Sequence, residues 1–244
     1  AGKAGKASNT PDLVKAHSTA NYSFLCLQEC VSDTIKQLEA ALKTSKPTHT
    51  LLQGKACGAK TVNSVMVYDA ERFTLVDPPT YTCFELNDGS MDTGRPVAIA
   101  LFDDKYLMNR RVAVASIHAP HFNSNPYSLY NNLKRCVDMA LKGASYNTLN
   151  HIIIAGDFNR QDWDKVLEIW PLPASYSAYH YTPPKPKLVS VQKAKNLKYT
   201  INNRAYDNVL YSSRDFMYTL EKKKFEVLEN LGSDHAVIEV VFRV

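Results

Sequence analysis

The sequence predicts an α/β fold in one domain, 1–244, built as two β-sheets packed face to face with helices outside. Three observations point there. Apolar runs of strand length dominate the chain, helical patterns fall between groups of them, and no internal repeat or linker interrupts the order. The 244 residues suffice for a sizeable core, and 45% hydrophobic with 22% charged residues argues against wholesale disorder. Lys and Arg number 29 against 24 Asp and Glu, a net charge of +5 that permits a polyanionic partner without identifying one. No apolar run reaches the roughly 18 residues of a membrane span.

The elements follow in order. Residues 1–10 are rich in Ala, Gly and Lys, and 12–19 reads as a short helix behind Pro11. Ser23–Gln28 is a buried strand. Residues 33–43 are helical, because Ile35, Leu38, Ala41 and Leu42 recur on one face. Val62–Tyr68 and Phe73–Val76 read as a hairpin around a turn at 69–71. Val97–Phe102, Arg111–Ile117, His151–Ala155, Tyr206–Tyr211 and Ala236–Phe242 are further strands. Tyr127–Leu141 carries the best helical spacing, and Asp162–Trp170 is a short helix. Segment 176–200 contains Pro183, Pro184 and Pro186, which deny it a central strand. Its lysines, Lys185 and Lys187 among them, fit either a solvated loop or one that touches phosphates.

Five cysteines, Cys26, Cys30, Cys57, Cys83 and Cys136, cannot all pair, and none has a CxxC or zinc-ligand spacing. They read as reduced thiols. Together with an N-terminal AGKAGKAS that lacks an apolar h-region, they favour an intracellular setting over a secreted one.

Acids, amides and histidines sit where apolar strands end. Glu29 ends one run, His118 a second, and Asp157 with Asn159 a third. Asp207 precedes a fourth, and Asp234 with His235 a fifth. One such residue is unremarkable, but five ends along one sheet rim would converge. Their types suit a hard divalent cation, which takes one or two carboxylates plus water and substrate phosphate. Glu29, Asp157 and Asp234 could supply the carboxylates. His118 and His235 could move protons, and Asn159 could donate to an oxyanion. There is no GxSxG, no GxxxxGK[ST] loop and no HExxH motif.

The ordered pieces Leu27-Gln28-Glu29, Gly94-Arg95-Pro96-Val97-Ala98, Ile117-His118-Ala119-Pro120, Ala155-Gly156-Asp157-Phe158-Asn159-Arg160, Ala205-Tyr206-Asp207-Asn208-Val209-Leu210 and Ser233-Asp234-His235 resemble the endonuclease/exonuclease/phosphatase family. Deoxyribonuclease I and cytolethal distending toxin B are among its members. The resemblance implies a four-layered α/β sandwich with two central, mainly antiparallel sheets and a site at one rim. It implies Mg²⁺ at Glu29 with Asp234 beside it; Mn²⁺ could substitute, and Ca²⁺ could serve as a structural ion. His235 would be the general base, oriented by a carboxylate, Asp207 or Asp234. His118 would bind the scissile phosphate or assist the leaving oxygen, while Asp157 and Asn159 position water, metal and phosphate. Arg95 would contact phosphate.

The sequence departs from the family in two places. The usual N-terminal apolar strand ending in Asn has only Asn9 as its counterpart. The glutamate that pairs with the first histidine in the deoxyribonuclease I branch is absent from the stretch Thr61, Val62, Asn63. The expected activity is metal-dependent phosphodiester hydrolysis, with DNA as substrate and partner. A phosphatase acting on an inositol phosphate or phosphoinositide is the alternative, and a binding protein that kept only the fold is a third reading. Nothing in the sequence reports contact with a 2′-hydroxyl, so RNA stays open.

Overall fold

Strand β1 (Phe24–Val31) runs directly into helix α1 (Ser32–Ser45). The structure, a computed structural model, describes residues 22–54, 62–76, 85–86, 95–108, 110–119, 149–159, 189–190, 207–213, 219–228 and 237–243. Asp33 in the first turn of α1 and Lys43 in the last complement its dipole. Ile35, Leu38 and Leu42 of α1 pack on Leu25, Leu27 and Cys30 of β1 and on Val65 and Val67. The predicted helix is thus present and slightly longer at both ends.

Two more strands, β2 (His49–Gln53) and β3 (Val62–Asp69), complete a three-stranded antiparallel sheet in the order β1-β3-β2. The remaining strands in chain order are β4 (Phe73–Leu75), β5 (Glu85–Leu86), β6 (Arg95–Pro96), β7 (Ala98–Asp104), β8 (Arg110–His118), β9 (Leu149–Asp157), β10 (Val189–Ser190), β11 (Asp207–Ser213), β12 (Thr219–Leu228) and β13 (Val237–Arg243). Among the described residues the second large sheet has the order β10-β11-β9-β8-β7-β4. Only β8 and β9 are parallel there. A parallel pair needs a long crossover. The helix predicted over 127–141 falls in that connection, and it lies outside the described residues, as do those predicted at 12–19 and 162–170.

The two sheets share a core. Met66 and Tyr68 of β3 meet Ala98, Ala100 and Phe102 of β7 and Val112 and Val114 of β8, with Leu52 and Phe73 alongside. Phe102 is the hub: its ring lies 5.2 Å from that of Phe24, 4.8 Å from Tyr68 and 6.3 Å from Phe73. The other face of the six-stranded sheet is buried too, through Ile99, Leu101, Ala113, Ala115, Ile117, Ile152 and Ile154. Burial on both faces explains why β7, β8 and β9 read as continuous apolar runs rather than alternating ones.

The hairpin expected between 62–68 and 73–76 does not form. Both edges of β3 are taken by β1 and β2, so β4 pairs with β7 in the opposite sheet. Residues 70–72 carry the chain across. Asp69 Oδ1 accepts the Glu71 amide at 2.9 Å, and Arg72 forks onto the buried Asp104 at 2.6–3.1 Å. Segment 176–200 has an edge strand after all, β10, which pairs Val189 and Ser190 with Tyr211 and Leu210 just beyond the prolines.

Phe102→Ala empties the centre of the inter-sheet core. Urea unfolding should register a loss of about 3–5 kcal/mol, whereas a loss under 1 kcal/mol would mean the two sheets do not meet there.

Candidate active site

Three neighbouring strands end at one level. His118 of β8 pairs in register with Asp157 of β9, and Asp157 pairs with Asp207 of β11. Glu29 reaches the same place from the other sheet. Its Oε1 lies 3.9 Å from His118 Nδ1, and Asp157 Oδ2 lies 3.8 Å from His118 Nε2. The imidazole therefore sits between two carboxylates. Both separations exceed a direct hydrogen bond yet fall within ion-pair reach. His118, Asp157, Asn159 and Asp207 are each at most 7% exposed, while Glu29 is half-buried. Among the described residues the acids that face this histidine are Glu29 and Asp157, in place of the deoxyribonuclease I-type glutamate missing near Asn63.

The backbone that carries these groups is unusual at each step. Gly156 adopts φ +142, and a Cβ there would lie 2.0 Å from the Ile117 carbonyl oxygen. Only glycine allows β8 and β9 to come this close beneath the site. Asn159 has φ +51 and Glu29 has φ +56, left-handed values uncommon for residues with a side chain. Asp157 closes a tight turn: its Oδ1 accepts the Asn159 amide at 2.7 Å, and its carbonyl accepts the Ala119 amide at 2.8 Å. The Asn159 side-chain amide donates to the Ala119 carbonyl, which lashes 157–159 to the end of β8.

Arg95 lies on β6, opposite Leu86 of β5. It is half-buried, and its Nε is buried with no hydrogen-bond partner among the described residues. Cys26 and Cys30, close to Glu29 on β1, are free thiols pushed up to about 12 by burial. They remain protonated at neutral pH and are not nucleophiles. Asn9, Lys185, Lys187, Asp234 and His235 lie outside the described residues.

Two polar residues had no role in the sequence reading. Gln28 Nε2 donates to Ser116 Oγ at 3.2 Å, and Ser116 Oγ donates to the Leu27 carbonyl at 3.1 Å. The available signal was their position: each takes an inward place in an otherwise apolar strand, one or two residues before a site residue.

No family model matches the chain, and no curated protein matches it. Solved structures do. A Bacteroides vulgatus endonuclease/exonuclease/phosphatase protein superposes with a TM-score of 0.61 at 13% identity, over 96% of this chain and 91% of that one. This chain has the fold of the endonuclease/exonuclease/phosphatase proteins. A Bacteroides thetaiotaomicron mannosyl-6-phosphatase gives 0.64 at 14% identity, over 98% and 91% of the two chains. D. rerio TDP2, complexed with single-strand DNA product, gives 0.61 at 14% identity, over 98% and 92%. The α/β sandwich expected from the motifs is therefore the one adopted, and in it the motif residues on β1, β8, β9 and β11 meet at one rim.

Gly156→Ala should cost about 3 kcal/mol or more in urea unfolding, since it adds a clash to a conformation few side chains adopt. Wild-type stability in this variant would contradict the close approach of β8 and β9.

Proposed function

We propose that this protein is a phosphoester hydrolase, and more narrowly a divalent-metal-dependent endonuclease that nicks DNA. One observation carries the reading: a buried histidine held between two carboxylates at the strand rim of this fold, with Asn159 and Asp207 beside it. That arrangement brings together an imidazole, acceptor oxygens and an amide donor, the group types that phosphoester hydrolysis uses.

Among the described residues no group of three or more His, Cys, Asp or Glu side chains is arranged to hold a metal ion. A magnesium-type ion does not require one, because it keeps several waters and takes one or two carboxylates. Glu29 is half-buried, with its carboxylate at the rim, and suits that role; Asp157 is the second oxygen donor within reach of the same histidine. Asp234 would complete the set. The ion, once bound, would neutralise phosphate charge and stabilise the departing oxygen.

The protein's own groups do the rest. A water attacks phosphorus in line with the departing 3′ oxygen; a P–O bond to water forms as the P–O3′ bond breaks. His235 takes the proton of that water, oriented by Asp207 or Asp234. His118 binds the scissile phosphate or protonates the leaving oxygen. One hydrogen of the Asn159 amide is committed to Ala119, and the second is left to donate to the oxyanion. Arg95, whose Nε is buried without an acceptor among the described residues, would gain one in a phosphate oxygen. Asn9, Lys185 and Lys187 would extend the contact along the backbone of the nucleic acid.

DNA is favoured over a small phosphoester by the net charge of +5, the lysine-rich segment 185–198 and the motif match at Arg95. The likeness to D. rerio TDP2 with its single-strand DNA product agrees with that choice. The second reading, a phosphatase on a compact phosphoester such as an inositol phosphate, draws on the likeness to a mannosyl-6-phosphatase.

The test is supercoiled plasmid incubated with the protein, with Mg²⁺ or with EDTA. Nicking should require the metal, and His118→Ala and His235→Ala should each slow it by roughly 10²–10⁴-fold. Absence of nicking by folded protein that releases phosphate from a small phosphoester would replace the nuclease with the phosphatase. Full nicking by either histidine variant would remove that histidine from the mechanism.

A further inference from the structure

Leu27 and Cys30 are three residues apart on β1, yet both pack in the cluster against α1. Strict alternation forbids this, because strand residues three apart face opposite sides. The ladder with β3 resolves it. Leu27 pairs with Val65 and Cys30 with Asn63, so Gln28 and Glu29 together oppose the single residue Ser64. This is a β-bulge. It turns two consecutive side chains inward, and both reach β8: Gln28 at Ser116 and Glu29 at His118, two residues apart on one face of that strand.

The bulge is costly in itself. Glu29 at φ +56 is in a conformation that costs a non-glycine residue about 1–3 kcal/mol and persists only where its surroundings over-determine it. The surroundings here form a closed ring. It runs from the Leu27 carbonyl along the backbone to Gln28, out through the Gln28 amide to Ser116 Oγ, and back to the Leu27 carbonyl. Gln28 is 3% exposed and Ser116 0%, so each bond lies buried away from bulk water, where it is stronger than at the surface. A third strand backs the ring, since the missing Cβ of Gly156 would lie only 3.0 Å from Gln28 Nε2.

We propose that Gln28 and Ser116 are positioning residues for Glu29: their buried ring across the two sheets holds the β1 bulge that delivers the Glu29 carboxylate to the site. The inference rests on the reading of Glu29 as a metal ligand. An apolar pair of similar volume would fill the same space. What it would lack is the directional bond that fixes the strand one residue before the ligand. Outer groups of this kind typically change metal affinity by about 10–100-fold.

The test is Mn²⁺ titration of the full chain, with free Mn²⁺ followed by electron paramagnetic resonance and folding checked by circular dichroism. The variants are Gln28→Leu, Ser116→Ala, their double variant and Glu29→Gln. Folded Gln28→Leu and Ser116→Ala should bind Mn²⁺ about 10-fold more weakly or worse. The double variant should bind no more weakly than the weaker single one, because all three break the same ring. Should Gln28→Leu fail to fold, Ser116→Ala, which removes one oxygen, decides alone. A purely structural role would lower the melting temperature and leave Mn²⁺ affinity untouched. That outcome, with Glu29→Gln binding weakly, overturns the positioning role while the metal reading stands. Wild-type Mn²⁺ affinity in Glu29→Gln overturns the metal reading, and the positioning role falls with it.

Discussion

Consecutive side chains on a β-strand ordinarily point to opposite faces of the sheet, and at the end of β1 this would send Glu29 back towards helix α1. One extra residue in the β1–β3 ladder prevents it. Leu27 and Cys30 keep their places under α1, and the intervening pair faces the second sheet. The convergence of the two sheets at a single polar rim depends on that slip. Without it, His118 would face Asp157 but no acid from the first sheet.

The interior changes character in layers as it approaches this rim. On the inward face of β8 the order is Val112, Val114, Ser116, His118; on β1 it is Phe24, Cys26, Gln28 and then Glu29. The apolar layers, centred on Phe102, supply the burial energy and fix the spacing of the sheets. The hydrogen-bonded layer of Gln28 and Ser116 adds direction. Only the last layer carries groups that can move protons or hold cations. For the proposed phosphoester chemistry such an order would be an advantage, because rigid supports remove the cost of reorganisation during a reaction.

Much of this was legible in the sequence, for stated physical reasons. Strands β7, β8 and β9 were visible because burial on both faces leaves continuous apolar runs, and α1 because its buried residues repeat at helical spacing. The candidate site residues Glu29, His118, Asp157, Asn159 and Asp207 stood out as polar groups at the ends of such runs, and the structure brings the first three within 4 Å contacts. Other elements carried no such signal. β2 is an edge strand with one buried residue, Leu52, so its pattern resembles a loop. β12 was hidden by Lys222, Lys223 and Lys224, where its register with β13 slips. The supposed hairpin at 62–76 failed because pairing depends on which edges are free, and both edges of β3 are occupied by strands distant in sequence or separated by the 55–61 segment. The left-handed backbone of Glu29 was also hidden, since nothing in Leu27-Gln28-Glu29-Cys30 marks a positive φ at a glutamate.

The functional reading and the fold meet at Glu29, the residue that is both conformationally strained and expected to hold the ion. A crystal of the full chain soaked in Mn²⁺, with anomalous diffraction recorded, tests both at once. The expected map has an anomalous peak in contact with the Glu29 carboxylate, with Glu29 in the left-handed region and the Gln28 amide on Ser116. A map with Glu29 in ordinary extended backbone, its side chain turned to α1, and no peak at the rim would contradict the account.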